Sequence, residues 1–442
     1  MKKYFSSARL PYWSLTFCGA ILLFSAANVQ WNPIRWEGIV RSDGKGYFAY
    51  LPAVWVYQDL NFDFFDALEG KKYFQKHLFY DYRFDTEGGK VNRYYAGTAF
   101  LLSPFYLVGH AVAKLAAFDP DGYSLPYYIS VHFGAIFYSL LGLYLCLLLL
   151  RDFKIDDVYI SLVLPAILLG TNFFYYPMME ALMSHHFSFC MLTGLLLATR
   201  RWLVGRERAI LWMGICMGTI VLLRPINLVV LLLLPFMAES LQALGKRVKD
   251  SFQQNWSLWL IAILVALLIG SVQLWCYYLA TGSPWVYSYG PYKIDLGNPH
   301  FWEMLFSYRK GFFLYTPLAL VGMGGFYFWG RINLYQCLGT LSFILGLVYL
   351  LSCWDFWFYG GSFGGRVFID YYAIWAILLG FCWQHLKGRW QKSFTVLVLG
   401  LILVCQIQTF QYRYQHILWD KMTKELYWDR FLRIDRILWP EK

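Results

Sequence analysis

Long apolar runs recur along nearly the whole chain and are separated by short polar or basic stretches. The runs are continuous and lack a two-residue alternation, so they predict helices and not the strands of a membrane barrel. A helix needs about 20 apolar residues to cross a bilayer, or fewer where neighbours cover it. The predicted spans are 12–29, 127–150, 158–176, 184–199, 209–223, 226–238, 257–279, 312–330, 334–352, 367–385 and 393–410. The pattern predicts an all-α polytopic membrane protein with about eleven transmembrane helices.

Charge predicts the orientation of these spans, because loops that stay in the cytoplasm carry an excess of Lys and Arg. Basic clusters at the N-terminus and in the segments 200–208, 246–249 and 387–392 place the N-terminus in the cytoplasm and the C-terminus outside. Successive spans must alternate in direction between these loops, and the count agrees only if the apolar run 96–117 lies on the outer surface without crossing. The first external loop then extends from about residue 30 to residue 126.

The composition agrees with a membrane protein and changes one expectation about partners. Of the 442 residues, 59% are hydrophobic, 21% are aromatic and 15% are charged, and the mean hydropathy is +0.43. A soluble chain of this length needs more charge on its surface. The net charge of +11 would attract nucleic acid, but the basic residues fall in short clusters between the apolar runs. We therefore expect membrane lipid, and no nucleic acid, as a partner.

Candidate chemistry begins in the predicted external loop, at Arg41-Ser-Asp43-Gly-Lys-Gly-Tyr47. An aspartate beside a membrane surface can accept a proton from a hydroxyl nucleophile, or can hold a divalent cation together with a second carboxylate. Asp-Gly is also a common turn dipeptide that needs no chemistry. Asp43 is the candidate catalytic carboxylate, and the metal requirement stays open.

Further positions outside the Asp43 turn carry polar or aromatic side chains suited to a sugar or an acceptor. The corner at residues 171–186 contains Glu180, His185 and His186. Such residues are zinc ligands elsewhere, but adjacent histidines point in different directions on a helix, so an imidazole that hydrogen-bonds a substrate is the better interpretation. Interfacial capping is the alternative. The predicted sugar or acceptor residues are Tyr47, Glu180, His185 and Tyr289.

External arginines form a second group of candidates. Arg309 precedes a predicted span on the outer side, against the usual preference for basic residues inside, and Arg224 lies at another outward corner. Arg366 follows the glycine-rich sequence Gly360-Gly-Ser-Phe-Gly-Gly365, where exposed backbone amides suit an anionic ligand. Guanidinium groups bind phosphate through paired hydrogen bonds. Contact with lipid headgroups is the alternative for Arg309, and pairing with Asp370, four residues on, is the alternative for Arg366.

Together these features resemble the integral-membrane glycosyltransferases of the GT-C type, which include protein O-mannosyltransferases, aminoarabinose transferases and oligosaccharyltransferase catalytic subunits. The resemblance covers residues 10–410 and rests on the Asp43 loop, the segment Asn92-Arg-Tyr-Tyr-Ala-Gly-Thr-Ala-Phe-Leu-Leu-Ser-Pro-Phe105, Leu305-Phe-Ser-Tyr-Arg-Lys-Gly-Phe-Phe-Leu-Tyr-Thr-Pro317 and Gly360-Gly-Ser-Phe-Gly-Gly-Arg366. The resemblance implies that Asp43 is catalytic, that Arg93, Arg224, Arg309 and Arg366 bind a donor phosphate, and that the donor is a polyprenyl-phosphate-linked sugar.

The chain departs from this group in three ways. It lacks a second acid beside Asp43, a Lys-Pro-Pro motif in the membrane-lying segment, and a soluble C-terminal domain. These departures leave open whether a divalent cation takes part and whether the acceptor is a glycan, a lipid or a protein.

The resulting prediction is a hexosyl or pentosyl transferase in a bacterial inner membrane, acting on its periplasmic face. Residues 1–410 would form the transmembrane domain and 411–442 an external interfacial tail. A lipid-linked glycan polymerase or ligase is the first alternative. A flippase, which would require ionisable residues near the bilayer midplane, and a non-catalytic scaffold are the others.

Overall fold

The structure is a computed structural model that describes residues 7–32, 34–288 and 292–438. The first helix, α1 (Leu10–Val29), is an uninterrupted apolar run, and Pro11 in its first turn leaves no helical hydrogen bond unmade. The long loop that follows folds into short elements. They are a 3₁₀ turn Trp36–Ile39, α2 (Asp43–Pro52), a π-helical turn Ala53–Tyr57, α3 (Phe65–Ala67), a second π-helical turn Leu68–Lys72, and the strands β1 (Arg83–Thr86) and β2 (Gly89–Asn92).

The two strands form an antiparallel hairpin, in which Arg83 is opposite Asn92. The central part of the chain is helical. Its elements are α4 (Gly97–Leu115), α5 (Leu125–Asp152), α6 (Asp157–Leu169), α7 (Tyr175–Met179), α8 (Ser184–Leu203), α9 (Ala209–Leu223), the 3₁₀ segments Pro225–Leu232 and Leu234–Met237, α10 (Leu241–Gly270) and α11 (Val272–Thr281). Helix α8 lies between α5 and α9 and is buried along most of its length.

The last third begins with four short helices, continues with three longer ones and ends with a tail of two short helices. Its elements are α12 (Phe301–Phe306), α13 (Phe312–Tyr315), α14 (Pro317–Gly322), α15 (Gly325–Ile332), α16 (Leu334–Ser352), the 3₁₀ segment Arg366–Tyr371, α17 (Tyr372–His385), α18 (Arg389–Arg413), α19 (Lys424–Arg430) and α20 (Asp435–Leu438).

The predicted all-α, multi-pass class is confirmed, whereas the count of eleven spans is not. Within the described residues, seven helices are long and apolar enough to cross a membrane. They are Leu10–Val29, Gly97–Leu115, Leu125–Asp152, Leu241–Thr281, Leu334–Ser352, Arg366–His385 and Arg389–Arg413. Helix α4 is one of them, although the predicted orientation required that segment not to cross.

Proline accounts for two of the differences. The predicted span 226–238 consists of two 3₁₀ segments, Pro225–Leu232 and Leu234–Met237. Pro235 has no N–H to donate to a carbonyl of the preceding turn, which favours a break at that point. The predicted span 312–330 is divided into α13, α14 and α15, and Pro317 starts the second of them. Both segments are apolar enough to resemble spans, but their backbone is broken.

Candidate active site at a polar cavity

Asp43 begins helix α2 at the head of the long loop. The residue before it, Ser42, has a φ of 50°, a left-handed conformation that is uncommon for a residue with a side chain. This turn places the Asp43 carboxylate at the N-terminal end of α2, where the partial positive charge of the helix favours an anion. The side chain is 25% exposed, so it remains open to a ligand.

Both oxygens of Asp43 have partners from distant parts of the chain. Nη2 of Arg366 donates to Oδ2 at 2.8 Å across 323 residues of sequence, and the hydroxyl of Tyr94 donates to Oδ1 at 2.8 Å. The Arg366 side chain is only 10% exposed, which strengthens its interaction with the carboxylate. These contacts fix the direction in which the carboxylate faces.

Tyr94 is held against α2 by the hairpin and by a glycine. Asn92, the last residue of β2, donates its side-chain amide to the Gly46 carbonyl at 2.7 Å and accepts from the Tyr94 backbone N–H at 3.0 Å. A Cβ atom at Gly46 would overlap the Tyr94 ring. Glycine is therefore required where the ring crosses the helix. Burial and the nearby Asp43 raise the pKa of Tyr94 well above its usual range, so its hydroxyl is a neutral donor.

Arg366 is positioned by the glycine-rich segment before it. Gly364 has a φ of +61°, which glycine adopts without strain. The preceding Phe363 is fixed on both sides of its backbone: its carbonyl accepts from the Asn172 amide at 2.8 Å, and its N–H donates to the Tyr176 hydroxyl at 3.1 Å. The Phe363 backbone is thus engaged inside the protein, and the segment serves to aim the guanidinium of Arg366.

Asp370 does not pair with Arg366, contrary to the alternative drawn from their spacing. Its fully buried carboxylate accepts from Arg224 Nη1 at 3.0 Å and from the Asn227 amide at 2.7 Å. Nδ1 of His185 lies 2.8 Å from its other oxygen and 2.7 Å from Arg224 Nη1. Asp370 therefore anchors Arg224 and His185, and leaves Arg366 to Asp43.

A cavity of about 850 Å³ adjoins these groups. It brings together six of the nine residues predicted from the sequence: Asp43, Tyr47, Arg93, His185, Arg224 and Arg366. Of the described residues that line it, four are cationic and one is a carboxylate, namely Arg93, Arg224, Lys293 and Arg366 against Asp43. Apolar side chains including Ile226, Leu350 and Leu351 cover another part of the wall. The cavity suits an anionic ligand that carries an apolar chain.

Of the other three predicted residues, Glu180 and Arg309 are not among the described residues that line the cavity. Glu180 is buried beside Tyr175, whose hydroxyl donates to it at 3.4 Å, and burial raises the pKa of its carboxyl. Arg309 donates to Asp420 in the tail at 2.7 Å and stacks its guanidinium 3.3 Å above the Phe358 ring centroid. Tyr289 lies outside the described residues.

Among the cavity side chains that were not predicted from the sequence, three bear on the site. Tyr94 donates to Asp43, Tyr80 contacts the Tyr94 hydroxyl, and Lys293 lines the wall. Lys293 lies in the segment 280–311, which is rich in tyrosine and basic residues. No pattern marks Tyr80, because its role depends on a contact with the hairpin end.

The groups around Asp43 do not fit a divalent cation. Such an ion needs several oxygen ligands, whereas Asp43 is the single carboxylate among the described residues that line the cavity. No group of three or more His, Cys, Asp or Glu side chains suited to a metal occurs in the described ranges. The positive charge beside Oδ2 comes from the Arg366 guanidinium, 2.8 Å away.

Comparisons with known proteins give matches among solved structures only. No family model matches the chain, and no curated protein matches it. Among solved structures, the chain is similar to the archaeal oligosaccharyltransferase AglB from Archaeoglobus fulgidus, determined in complex with an inhibitory peptide and a dolichol-phosphate. The identity is 12% and the TM-score is 0.49; the match covers 95% of this chain and 57% of that one. The chain thus spans little more than half the length of AglB, and a likeness of this size assigns it no activity.

Proposed function

We propose that this chain is a membrane glycosyltransferase that transfers a hexosyl or pentosyl unit from a polyprenyl-phosphate-linked donor to an acceptor on the periplasmic face of an inner membrane. The observation that carries the proposal is the meeting of Asp43 and Arg366 at a cavity whose lining has four cationic side chains and one carboxylate. A lipid-linked phosphate supplies the negative charge that this lining lacks, and its hydrocarbon chain suits the apolar wall.

In this proposal the donor phosphate binds Arg366, with Arg224 and Arg93 as further ligands. Charge-assisted hydrogen bonds from guanidinium to phosphate stabilise the charge that develops on the leaving group. Asp43, released from part of its contact with Arg366, accepts the proton of the acceptor hydroxyl. The acceptor oxygen forms a bond to the anomeric carbon as the bond from that carbon to the phosphate oxygen breaks. The polyprenyl phosphate leaves with the bonding electrons.

The aromatic side chains at the cavity supply contacts for the sugar. Tyr47 lines the wall beside Asp43, and its hydroxyl lies 3.3 Å from that of Ser184. Aromatic faces pack against the apolar faces of sugar rings, and hydroxyls complete the polar contacts. His185, anchored by Asp370, is the second sugar or acceptor ligand in the proposal.

The test uses purified protein in lipid nanodiscs and a panel of undecaprenyl-phosphate sugars. Binding and the release of undecaprenyl phosphate are measured for wild type, Asp43→Asn and Arg366→Ala. The matched control is Arg433→Ala, which removes an exposed arginine of the tail. We expect Arg366→Ala to lose binding, Asp43→Asn to bind without releasing product, and the control to match wild type.

Each contrary result removes a different part of the proposal. If no panel member binds wild type, the polyprenyl-linked donor is wrong. If Asp43→Asn releases product at the wild-type rate, the catalytic role of Asp43 is wrong. Movement of the intact donor between leaflets without release would favour a flippase.

A further inference from the structure

A short chain of hydrogen bonds leads away from Asp43. Oδ1 accepts from the Tyr94 hydroxyl at 2.8 Å, and the Tyr94 hydroxyl lies 2.5 Å from the Tyr80 hydroxyl. Tyr94 is buried, whereas Tyr80 is partly exposed. Two hydroxyl oxygens therefore connect the carboxylate to a partly exposed side chain that lines the same cavity.

The two oxygens of Asp43 differ in what their partners can do. Arg366, on Oδ2, has donors only and keeps its proton at any physiological pH. A tyrosine hydroxyl both donates and accepts, so Tyr94, on Oδ1, can take one proton while it gives up another. Of the two, only the Oδ1 side offers a route for a proton.

The proposed reaction makes such a route necessary, and this inference rests on that proposed function. Each transfer leaves the acceptor's proton on Asp43. The proton has to leave before the carboxylate can act again, while the cavity is still filled by the bound polyprenyl phosphate. Tyr94 and Tyr80 line this cavity, and together they offer a hydrogen-bonded path along its wall from Asp43 to a partly exposed side chain.

We propose that Tyr94 and Tyr80 carry this proton from Asp43 to the outside. The O–H bond on Asp43 breaks as the Tyr94 oxygen takes the proton, the Tyr94 proton passes to the Tyr80 oxygen, and the Tyr80 proton passes to external water. Both tyrosines end neutral, and their hydroxyls rotate back. They act through Asp43 and are positioning residues, not catalytic ones.

The surroundings favour concerted transfer over a tyrosinate intermediate. Burial raises the pKa of both Tyr94 and Tyr80, and the charge of Asp43 raises them further, so a phenolate is disfavoured at either position. The ionisable groups that face or influence Asp43 and the two tyrosines are Arg366, Arg93, Tyr47 and Glu180. Of these groups, Arg93 hydrogen-bonds the Tyr80 hydroxyl, which partly opposes the rise in the Tyr80 pKa.

The first experiment separates chemistry from proton release. It uses the full-length protein in nanodiscs and the undecaprenyl-phosphate sugar that wild type turns over, and it follows undecaprenyl phosphate release with enzyme in excess and then with donor in excess. The variant is Tyr80→Phe. The matched control is Tyr73→Phe, a tyrosine of the same loop whose hydroxyl donates to another carboxylate, Asp121, at 2.8 Å.

We expect Tyr80→Phe to keep the single-turnover rate and to lower the multiple-turnover rate by about tenfold or more, in line with the usual contribution of a positioned proton-transfer group. Tyr73→Phe should change neither rate. An equal fall in both rates would show a structural role for Tyr80, and an unchanged multiple-turnover rate would show another exit for the proton; either result overturns the relay.

A second measurement needs no donor. The infrared carboxylate band of Asp43 is assigned in substrate-free protein by its loss in Asp43→Asn. The relay requires that this band shifts in Tyr80→Phe as well as in Tyr94→Phe, although Tyr80 does not contact Asp43, and that it is unchanged in Tyr73→Phe. If the Asp43 band in Tyr80→Phe has the same frequency as in wild type, the Tyr80 hydroxyl is not coupled to Asp43 and the relay is wrong. Release by Asp43→Asn at the wild-type rate would instead defeat the proposed function, so the two failures are distinguishable.

Discussion

Asp370 pairs with Arg224, 146 residues earlier in the chain, at a distance of 3.0 Å between Oδ2 and Nη1. The carboxylate is fully buried and the guanidinium is 14% exposed. We expect Asp370→Ala to lower the free energy of unfolding by about 3–5 kcal/mol, because it leaves the buried side of Arg224 without its carboxylate. The measurement is denaturant unfolding in detergent micelles.

The control for this prediction is the exposed pair of Arg433 and Asp435, both 49% exposed. Asp435→Ala should cost less than about 1 kcal/mol, since water screens surface pairs. Equal costs for the two substitutions would mean that Asp370 contributes little to the buried network.

Lys45, in the first turn of α2, and Glu69 form a second buried pair. Their side chains are 9% and 3% exposed, and the Nζ–Oε2 distance is 2.6 Å. Burial raises the pKa of Glu69, and Lys45 opposes that rise. Lys45→Ala therefore leaves the Glu69 carboxylate buried without its lysine partner, in surroundings that favour the protonated form. We expect a loss of about 3–5 kcal/mol near neutral pH.

This loss should shrink in acid. In Lys45→Ala the native Glu69 holds a proton more tightly than the unfolded chain does, so stability falls as pH rises through that range and recovers as pH falls. Melting temperatures of the variant and wild type should approach one another toward pH 5. Lys72→Ala, which removes a lysine that is 43% exposed, is the control and should show little effect. A pH-independent difference would contradict the assignment.

Gly46 is the third test, because a side chain there collides with Tyr94. We expect Gly46→Ala to displace the Tyr94 ring, break its hydrogen bond to Asp43 and lower turnover by about tenfold or more. Gly245→Ala serves as the comparison, since nothing lies within 4 Å of a Cβ at that helical position. If Gly46→Ala turned over donor as fast as Gly245→Ala, Tyr94 would not be needed to position Asp43.

Lys310 provides a test of stability against pH. Burial, with a smaller contribution from Arg366, lowers the pKa of Lys310 to about 7, and its Nζ donates to the Ser362 carbonyl. The unfolded chain keeps the proton to about pH 10.4. Between these values the unfolded state binds more protons, so stability should rise with pH.

Lys310→Met should remove this rise, and the exposed Lys246→Met should keep it. The melting temperature of each protein is measured from pH 7 to pH 10. If the melting temperature of Lys310→Met still rises with pH, a group other than Lys310 causes the rise.

The length and continuity of the apolar runs predict the helical class. The place of Asp43 in a polar loop marks it as a candidate site residue. Segment 226–238 shows the limit of this reasoning. It has the hydropathy of a span, but Pro225 and Pro235 start 3₁₀ segments. Hydropathy indicates whether a segment lies in apolar surroundings. It does not indicate whether the backbone forms an unbroken series of α-helical hydrogen bonds.

Arg366 and Asp370 show a second limit, which concerns local spacing. Residues four apart share a face of an α-helix, so the sequence paired these two side chains. They lie in a 3₁₀ segment with about three residues per turn, where a residue four positions on is rotated to another face. The partner of Arg366 is Asp43, 323 residues earlier in the chain. Residue spacing in a single sequence does not predict a contact over so many residues.

The cavity wall draws on segments near residues 43–47, 93–95, 183–185, 224–226 and 350–366. This arrangement has a consequence for biosynthesis. A nascent chain that has reached residue 340 already contains Asp43 and Tyr94, yet it lacks the guanidinium that the carboxylate contacts. The insertion of α17 into the bilayer, with Arg366 and Asp370 just before it, completes both ion pairs together. The chain would therefore acquire this cavity and its two ion pairs in one of the last events of membrane integration, after most of its helices are in place.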